Sequence, residues 1–461
     1  MPLNSISPID GRYAKSVSLL APIFSEQGLM RYRLMIEGEY LIALSELKIK
    51  LRKLSTAEKK KIRSLYNLSL ADAQIISDIE TKGYKNIKAT DHDVKAVEYY
   101  LKDKLGKTSL KDVLEWIHFG LTSEDVNNLA YALMLSGGTT ILIEKLKTII
   151  KEIDKLAKNN SSVPILARTH GQSASPTTFG KEFRVFASRL ERQLKNLQKQ
   201  IILGKLNGAT GNYNAHLVTF PKTDWIKFSK SFILSLNKLV PSALSLAPNL
   251  TTTQIEPHDS YIELFDNIRR INTILIDFNQ DIWRYISDDW IVQKPIDGAV
   301  GSSTMPHKIN PIKFENSEGN LGAANALFEF FARKLPISRL QRDLSDSTVQ
   351  RNFGTAFAHS LIAYEYLLKG LSRISVNKNK VTEVLNQHTE VIAEAIQTIL
   401  RREGVEFPYE KLKSLTRGKN VTLKDFRKFV ENLSISDKIK KELLKINPEN
   451  YIGLASKLTK I

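Results

Sequence analysis

Phe183-Arg184-Val185-Phe186-Ala187-Ser188-Arg189-Leu190-Glu191-Arg192-Gln193-Leu194-Lys195-Asn196-Leu197 decides the fold class. Phe186, Ala187, Leu190, Leu194 and Leu197, continued at Ile201, recur at steps of three and four residues, so one apolar stripe runs along a helix while charged side chains fill the other face. The same spacing links Ile141, Leu142, Leu146, Ile149, Ile150, Ile153 and Leu156, and it returns from His258 to Ile286. Such stripes belong to bundle helices. Alternating strand patterns are scarce, with short candidates only at Val163 to Ala167 and Gly208 to Ala215. The fold is therefore expected to be all-α, mainly helical. Its long apolar stripes exceed what a monomer's periphery would show, which predicts a central bundle completed by other subunits.

Composition breaks predict three parts. The first boundary falls near residue 118, before the Thr-Ser turn of Leu121 to Asp125, and the second near Gly370, before the polar run Asn377 to Lys380. The parts are an N-terminal helical domain (1–118), a central long-helix domain (119–370) and a C-terminal helical domain (371–461). The last is predicted to open with an amphipathic helix from Thr382 to Arg402.

A chain of 461 residues with 42% hydrophobic content has ample material for more than one core. No apolar run is read as long enough to span a bilayer, and the start Met1 to Tyr13 lacks a basic stretch followed by an apolar one, so a cytoplasmic, soluble protein is expected. The absence of cysteine excludes disulfides, thiolate metal sites and a cysteine nucleophile. The formal charge of +18 raises a nucleic-acid partner as a possibility, but 46 of the 67 basic residues are lysines scattered on exposed helix faces. Even the tail from Arg401 to Ile461, with 15 basic against 8 acidic residues, reads as solvated surface. No membrane or nucleic-acid partner is expected.

Chemistry concentrates in Gly301-Ser302-Ser303-Thr304-Met305-Pro306-His307-Lys308-Ile309-Asn310-Pro311. Glycine permits close backbone approach, two prolines punctuate the segment, and Ser, Lys and Asn supply a potential base, a cation and an amide, enough to grip a carboxylate beside a reactive hydroxyl. His170, in Arg168-Thr169-His170-Gly171-Gln172, lies in a non-helical stretch after Pro164 where an imidazole can titrate near neutral pH. His92 stands between Asp91 and Asp93, either as a charge-paired structural residue or as an imidazolium kept for an anion. A metal site at Asp91-His92-Asp93 lacks a matching remote ligand set, and no metal or other cofactor is expected.

The 301–311 string resembles the signature of the fumarase/aspartase superfamily. Further segments resemble its adenylosuccinate lyase branch, in the longer bacterial form, nearly from end to end. They are Ser7-Pro8-Ile9-Asp10-Gly11-Arg12-Tyr13, Thr90 to Glu98, His118-Phe119-Gly120-Leu121-Thr122-Ser123-Glu124-Asp125, Thr253 to Asp259, Gln341-Arg342-Asp343 and Asp346 to Arg351. The resemblance implies anti elimination of fumarate from adenylosuccinate and from the succinyl-carboxamide ribotide SAICAR, with Ser302 as base and His170 as acid. It further implies that Lys308 favours the Ser302 alkoxide and that His92 assists the acid. Arg12, Tyr13, Arg342, Ser347 and Arg351 match a phosphate clamp. Thr122, Ser123, Gln254, Ser303, Lys308 and Asn310 match the residues that hold the succinyl carboxylates. Asp91, Asp93, Ile309, Asn316 and Thr348 complete the implied substrate contacts. Small nucleotide substrates, and a homotetramer whose sites are shared between subunits, belong to the same implication. Alternatives are another fumarate-releasing member, such as an argininosuccinate lyase, and a non-catalytic basic helical scaffold. Ser173 departs from the family, standing where proline is common, and Asp91 replaces an asparagine. Glu315 is read as a helix-start carboxylate that pairs with Lys308 or His170.

Overall fold

The computed structural model describes residues 3–240, 243–295, 304–305, 307–418 and 421–461. Helix dominates them, as the spacing predicts. The longest helices are Ser123–Asn159, Asp259–Ser287, Ile312–Lys334, Phe179–Leu197, Glu26–Leu44 and Phe353–Leu371. The described residues form two compact units: 1–146 with 193–273 and 319–365, and 147–192 with 274–318 and 366–461.

In the first unit, Ser25 caps the Glu26–Leu44 helix by accepting the Gly28 N–H, which satisfies one of the end's orphan donors. An aromatic cluster fixes its core: Phe265 lies 5.0 Å from Phe353 and 5.4 Å from Phe328, ring centre to ring centre, and Tyr131 lies 5.7 Å from Phe353. Each such ring withdrawn from water contributes about 1.5–3 kcal/mol before packing is counted. A short parallel pair, Ile201–Gly204 with Ser245–Pro248, sits in this unit. The Ser123–Asn159 helix does contain a window long and apolar enough to cross a membrane, contrary to the expectation from the sequence. That window is 83% buried, the signature of a core helix.

In the second unit, strands β1 (Pro164–Thr169) and β2 (Gln172–Thr178) form an antiparallel hairpin with Thr169 opposite Gln172 and Arg168 opposite Ser173. Phe179 follows directly and packs against Phe183, Tyr285 and Trp290. Ile291–Gln293 pairs antiparallel with Ile374–Val376.

Three further expectations need correction. The helix predicted to reach Ile201 ends at Leu197, and Ile201 is half-exposed in a strand. Gly208 to Ala215 forms turns and the start of the Asn214–Thr219 helix, because positive φ at Gly208, Gly211 and Tyr213 is incompatible with an extended run. The Thr382–Arg402 helix is broken: Lys378–Asn386 ends, His388 leaves helical geometry at φ −118° and ψ 55°, a 3₁₀ turn spans Thr389–Ile392, and Ala393–Arg402 resumes.

Candidate active site

In the second unit, His170 and Gly171 are the two central residues of the hairpin turn, with φ of 52° and 74°. Two positive φ values define a type I′ turn, whose twist matches that of the strands it joins. The turn holds the imidazole exposed at the hairpin tip, beyond two paired strands. Glycine meets the second positive φ without strain, whereas histidine at the first accepts a cost of order 1 kcal/mol. Arg168, next to the tip, lies with its guanidinium 5.7 Å from the centre of the Trp290 ring.

Lys308 is exposed, and its backbone N–H donates to the Met305 carbonyl at 3.1 Å. The Ile309 carbonyl accepts from Gln293 at 3.1 Å, tying this segment to the strand 291–293. Asn310 precedes Pro311 and the Ile312–Lys334 helix that carries Asn316. Ser302 and Ser303 lie outside the described residues. Glu315 stands in the first turn of that helix, as expected, but its carboxylate accepts from the Trp283 indole at 3.1 Å rather than from Lys308 or His170.

In the first unit, His92 caps the Asp93–Leu105 helix: its Nδ1 accepts the Lys95 N–H at 3.2 Å. Nδ1 is then the unprotonated nitrogen, so Nε2 carries the hydrogen and faces Ser123 Oγ at 3.3 Å. Asp91 adopts φ 47°, a left-handed conformation that Asp and Asn tolerate best.

Asp93 joins Arg33 at 2.7 Å and Arg351 at 2.8 Å. Burial would raise its pKa, but Arg33 and Arg351 outweigh burial and hold the carboxyl below its usual range. Arg351 also grips both oxygens of Glu26, at 2.6 and 2.7 Å. An anion arriving at Arg351 thus competes with Glu26. A cavity of about 430 Å³ bordered by Ser7, Asp10, Glu26 and Arg351 brings the N-terminal motif beside this guanidinium. Arg12 is exposed, 6.0 Å from the Tyr13 ring centre.

Arg342 donates to Gln254 at 3.2 Å and lies 3.1 Å from buried Glu124. Ser347 and Thr348 sit on the short Ser345–Gln350 helix that follows. Glu124, His258 and Asp346 bring three possible ligand atoms within 4.8 Å of one another. Arg342 already supplies positive charge there, also reaching Asp346 at 3.9 Å. Next door, Asp125 and Lys205 form a fully buried pair at 2.9 Å, and the same aspartate accepts from the Thr122, Asn207 and Gly208 N–H groups. This charge-rich frame fixes the backbone from which Thr122 and Ser123 project.

The structure thus joins His92 to Ser123, Asp93 to Arg351 and Gln254 to Arg342. It also shows a pair that the sequence reading left without a role. His118 Nδ1 lies 2.5 Å from the buried Glu37 carboxylate. Burial disfavours the charged ring, yet Glu37 outweighs that and raises the pKa. The signal was the histidine opening the His118–Asp125 motif, but its partner is 81 residues away and carries no motif of its own.

The family model described as "Lyase" matches residues 11–326, and the one described as "Adenylosuccinate lyase C-terminal" matches residues 338–452. The chain is 49% identical over 461 residues to an adenylosuccinate lyase of Haemophilus influenzae, covering 99% of this chain and 98% of that protein. It is 46% identical to the Escherichia coli K12 adenylosuccinate lyase, covering 98% and 97%, and 48% identical to that of Dictyostelium discoideum, covering 98% and 97%. Among solved structures, a fumarate lyase from Mesorhizobium sp. BNC1 shares the fold with a TM-score of 0.74 at 17% identity, with 96% of each chain covered. A 3-carboxy-cis,cis-muconate lactonizing enzyme from Pseudomonas putida gives 0.72 at 18%, covering 96% of this chain and 95% of that one.

Proposed function

The chain belongs to the adenylosuccinate lyase family of the fumarase/aspartase superfamily, and from that premise we propose how its residues divide the reaction it catalyses. The reaction is anti elimination: adenylosuccinate gives fumarate and AMP, and SAICAR gives fumarate and AICAR, two steps of purine biosynthesis. The observation that carries this reading is identity of 46–49% to adenylosuccinate lyases over 98–99% of the chain.

Elimination needs a base for the proton on the succinyl carbon, stabilisation of the carboxylate-conjugated carbanion, and an acid for the leaving nitrogen. Ser302, as alkoxide, takes the proton from carbon, and the Lys308 ammonium favours that alkoxide. The C–N bond electrons leave with the nitrogen of the nucleotide, the purine amine of adenylosuccinate or the carboxamide of SAICAR, which His170 protonates as a carbon–carbon double bond forms. A hairpin tip suits the acid, because it projects one ring beyond a paired backbone. His92, beside Ser123, assists the acid. Arg12, Tyr13, Arg342, Ser347 and Arg351 take the nucleotide phosphate, with Arg351 exchanging Glu26 for it. Thr122, Ser123, Gln254, Ser303, Lys308 and Asn310 take the succinyl carboxylates. Asp91, Ile309, Asn316 and Thr348 line the substrate. Asp93, an acceptor only, serves by holding the Arg351 guanidinium in place.

The chain works as three sequential parts, 1–118, 119–370 and 371–461, in a cytoplasmic homotetramer whose sites draw residues from three subunits. Ser302→Ala and His170→Ala are each expected to lower kcat on adenylosuccinate by at least about a hundredfold, with the oligomer unchanged on a sizing column. Fumarate release followed by ultraviolet absorbance decides it. Near-native turnover in either variant refutes that residue's role, and cleavage of argininosuccinate with adenylosuccinate untouched refutes the substrate.

A further inference from the structure

The hairpin that presents His170 is not anchored by packing alone. On one side of β2, Ser173 Oγ lies 3.1 Å from His388 Nδ1, and the same nitrogen lies 2.8 Å from Glu390 Oε1. A carboxylate can only accept, so Nδ1 carries the hydrogen and divides it between Glu390 and the serine oxygen. Two residues further along β2, the Ser175 hydroxyl donates to the Glu394 carboxylate, which also accepts from the Tyr451 hydroxyl at 2.9 Å. Two polar clasps therefore join one strand of the hairpin to three parts of the C-terminal segment. At Gln172 and Ser173 the strand borders a cavity of about 830 Å³, lined also by Glu390, Ala393, Glu394 and Leu412, rather than a close-packed neighbour. Where packing is open, directional hydrogen bonds set position.

The break in the expected 382–402 helix belongs to the same device. A continuous helix would carry His388 around its own axis. Departure from helical geometry at His388, followed by the 389–392 turn, instead directs the ring at Ser173 and starts the next helix so that Glu394 meets Ser175. Ser173 stands opposite Arg168 in the ladder, one pair from the closing pair Thr169–Gln172, and the turn between holds only His170 and Gly171. A shift of the strand at Ser173 is passed to the imidazole with almost no intervening chain.

We propose that Ser173, His388 and Glu390, seconded by Ser175, Glu394 and Tyr451, are positioning residues through which the C-terminal segment fixes the hairpin tip and so the reach of His170. The catalytic half of this inference rests on His170 being the acid; the structural half does not. Misplacement of a proton donor by about 1 Å can cost on the order of a hundredfold in rate. His388→Ala and the double variant Ser173→Ala with Ser175→Ala are therefore expected to lower kcat about ten- to a hundredfold, with KM within about twofold, since neither clasp is assigned a substrate contact. His388→Asn, which keeps an N–H donor in the Nδ1 position, is expected to restore most of the rate.

Amide hydrogen exchange across residues 168–173 provides a readout independent of turnover: it is expected to quicken at least about tenfold in His388→Ala and in the double variant, with melting temperature and oligomer unchanged. Unaltered exchange in those variants overturns the clasp, whatever His170 does. Unaltered kcat in clasp variants whose hairpin exchanges faster, measured beside an inactive His170→Ala control, overturns the positioning role. Faster exchange alongside a near-native His170→Ala enzyme supports the clasp and removes the acid assignment instead.

Discussion

Glu124 is a fully buried carboxyl, 3.1 Å from Arg342 and close to Asp346. Burial is the largest influence on it and Arg342 opposes that only in part, so its pKa is pushed up to about 7 from an ordinary 4.5. The folded state then holds a proton that the unfolded chain has released across that interval. Its contribution to stability is fully present below about pH 4.5 and is lost as pH rises through about 7. A shift of that size corresponds to about 3 kcal/mol. Urea unfolding at fixed protein concentration, at pH 5 and pH 8, is expected to show this decline in the native protein relative to Glu124→Gln. Equal pH slopes in the two proteins would rule it out. Residues of this kind were the least legible in the sequence. Thr122, Ser123 and Asp125 stand in one motif, but Lys205, which neutralises Asp125, and Arg342, which faces Glu124, are 80 and 218 positions away. A single chain carries no local pattern for such pairs, whereas the helix-capping residues Ser25 and Ser55 announce themselves within three positions.

At the level of elements, what could be read was what has a period. The Phe179–Leu197 and Asp259–Ser287 helices lie where three- and four-residue spacing puts them, to within a few residues. Strands of three or four residues, such as Ile291–Gln293 and Ile374–Val376, are too short to alternate visibly and are defined by a partner far along the chain. The 382–402 pattern is amphipathic throughout, yet contacts at His388 and Thr389 override the helix locally, since propensity yields to tertiary hydrogen bonds worth about 1 kcal/mol each. Glycines separate the two kinds of turn. At Gly171 an added Cβ meets nothing within 4 Å, so only its φ of 74° resists substitution. At Gly211 the φ of 81° is joined by a clash of any added Cβ with the Thr252 carbonyl oxygen. Gly171→Ala is expected to cost about 1–2 kcal/mol, and Gly211→Ala at least about twice that, because backbone cannot move aside as a flexible side chain does. Denaturant midpoints of the two variants test the order, and equal losses would contradict it.

For the whole molecule, the proposed site draws on residues far apart in sequence. His170 and the Lys308 segment fall in one compact unit, while His92, Ser123, Arg342 and Arg351 fall in the other. The motifs nominate the members of this set, but nomination says nothing about which copy of the chain supplies each one. Long apolar stripes favour assembly, and large apolar side chains such as Leu217, Val218, Phe330, Ile337 and Leu340 remain exposed on the single chain. If sites are shared between subunits, a site taking His170 from one chain and Ser302 from another can be whole even when every chain carries one defect. Random mixing of His170→Ala and Ser302→Ala chains in equal amounts makes each of the two residues native in half of all cases, so about a quarter of sites regain both. Mild denaturation and reassembly of the mixture is therefore expected to return activity to about a quarter of the native value, from two parents that are each inert. Recovery no greater than the sum of the parents, with hybrid oligomers demonstrated by a tag on one of them, would mean that acid and base come from the same chain.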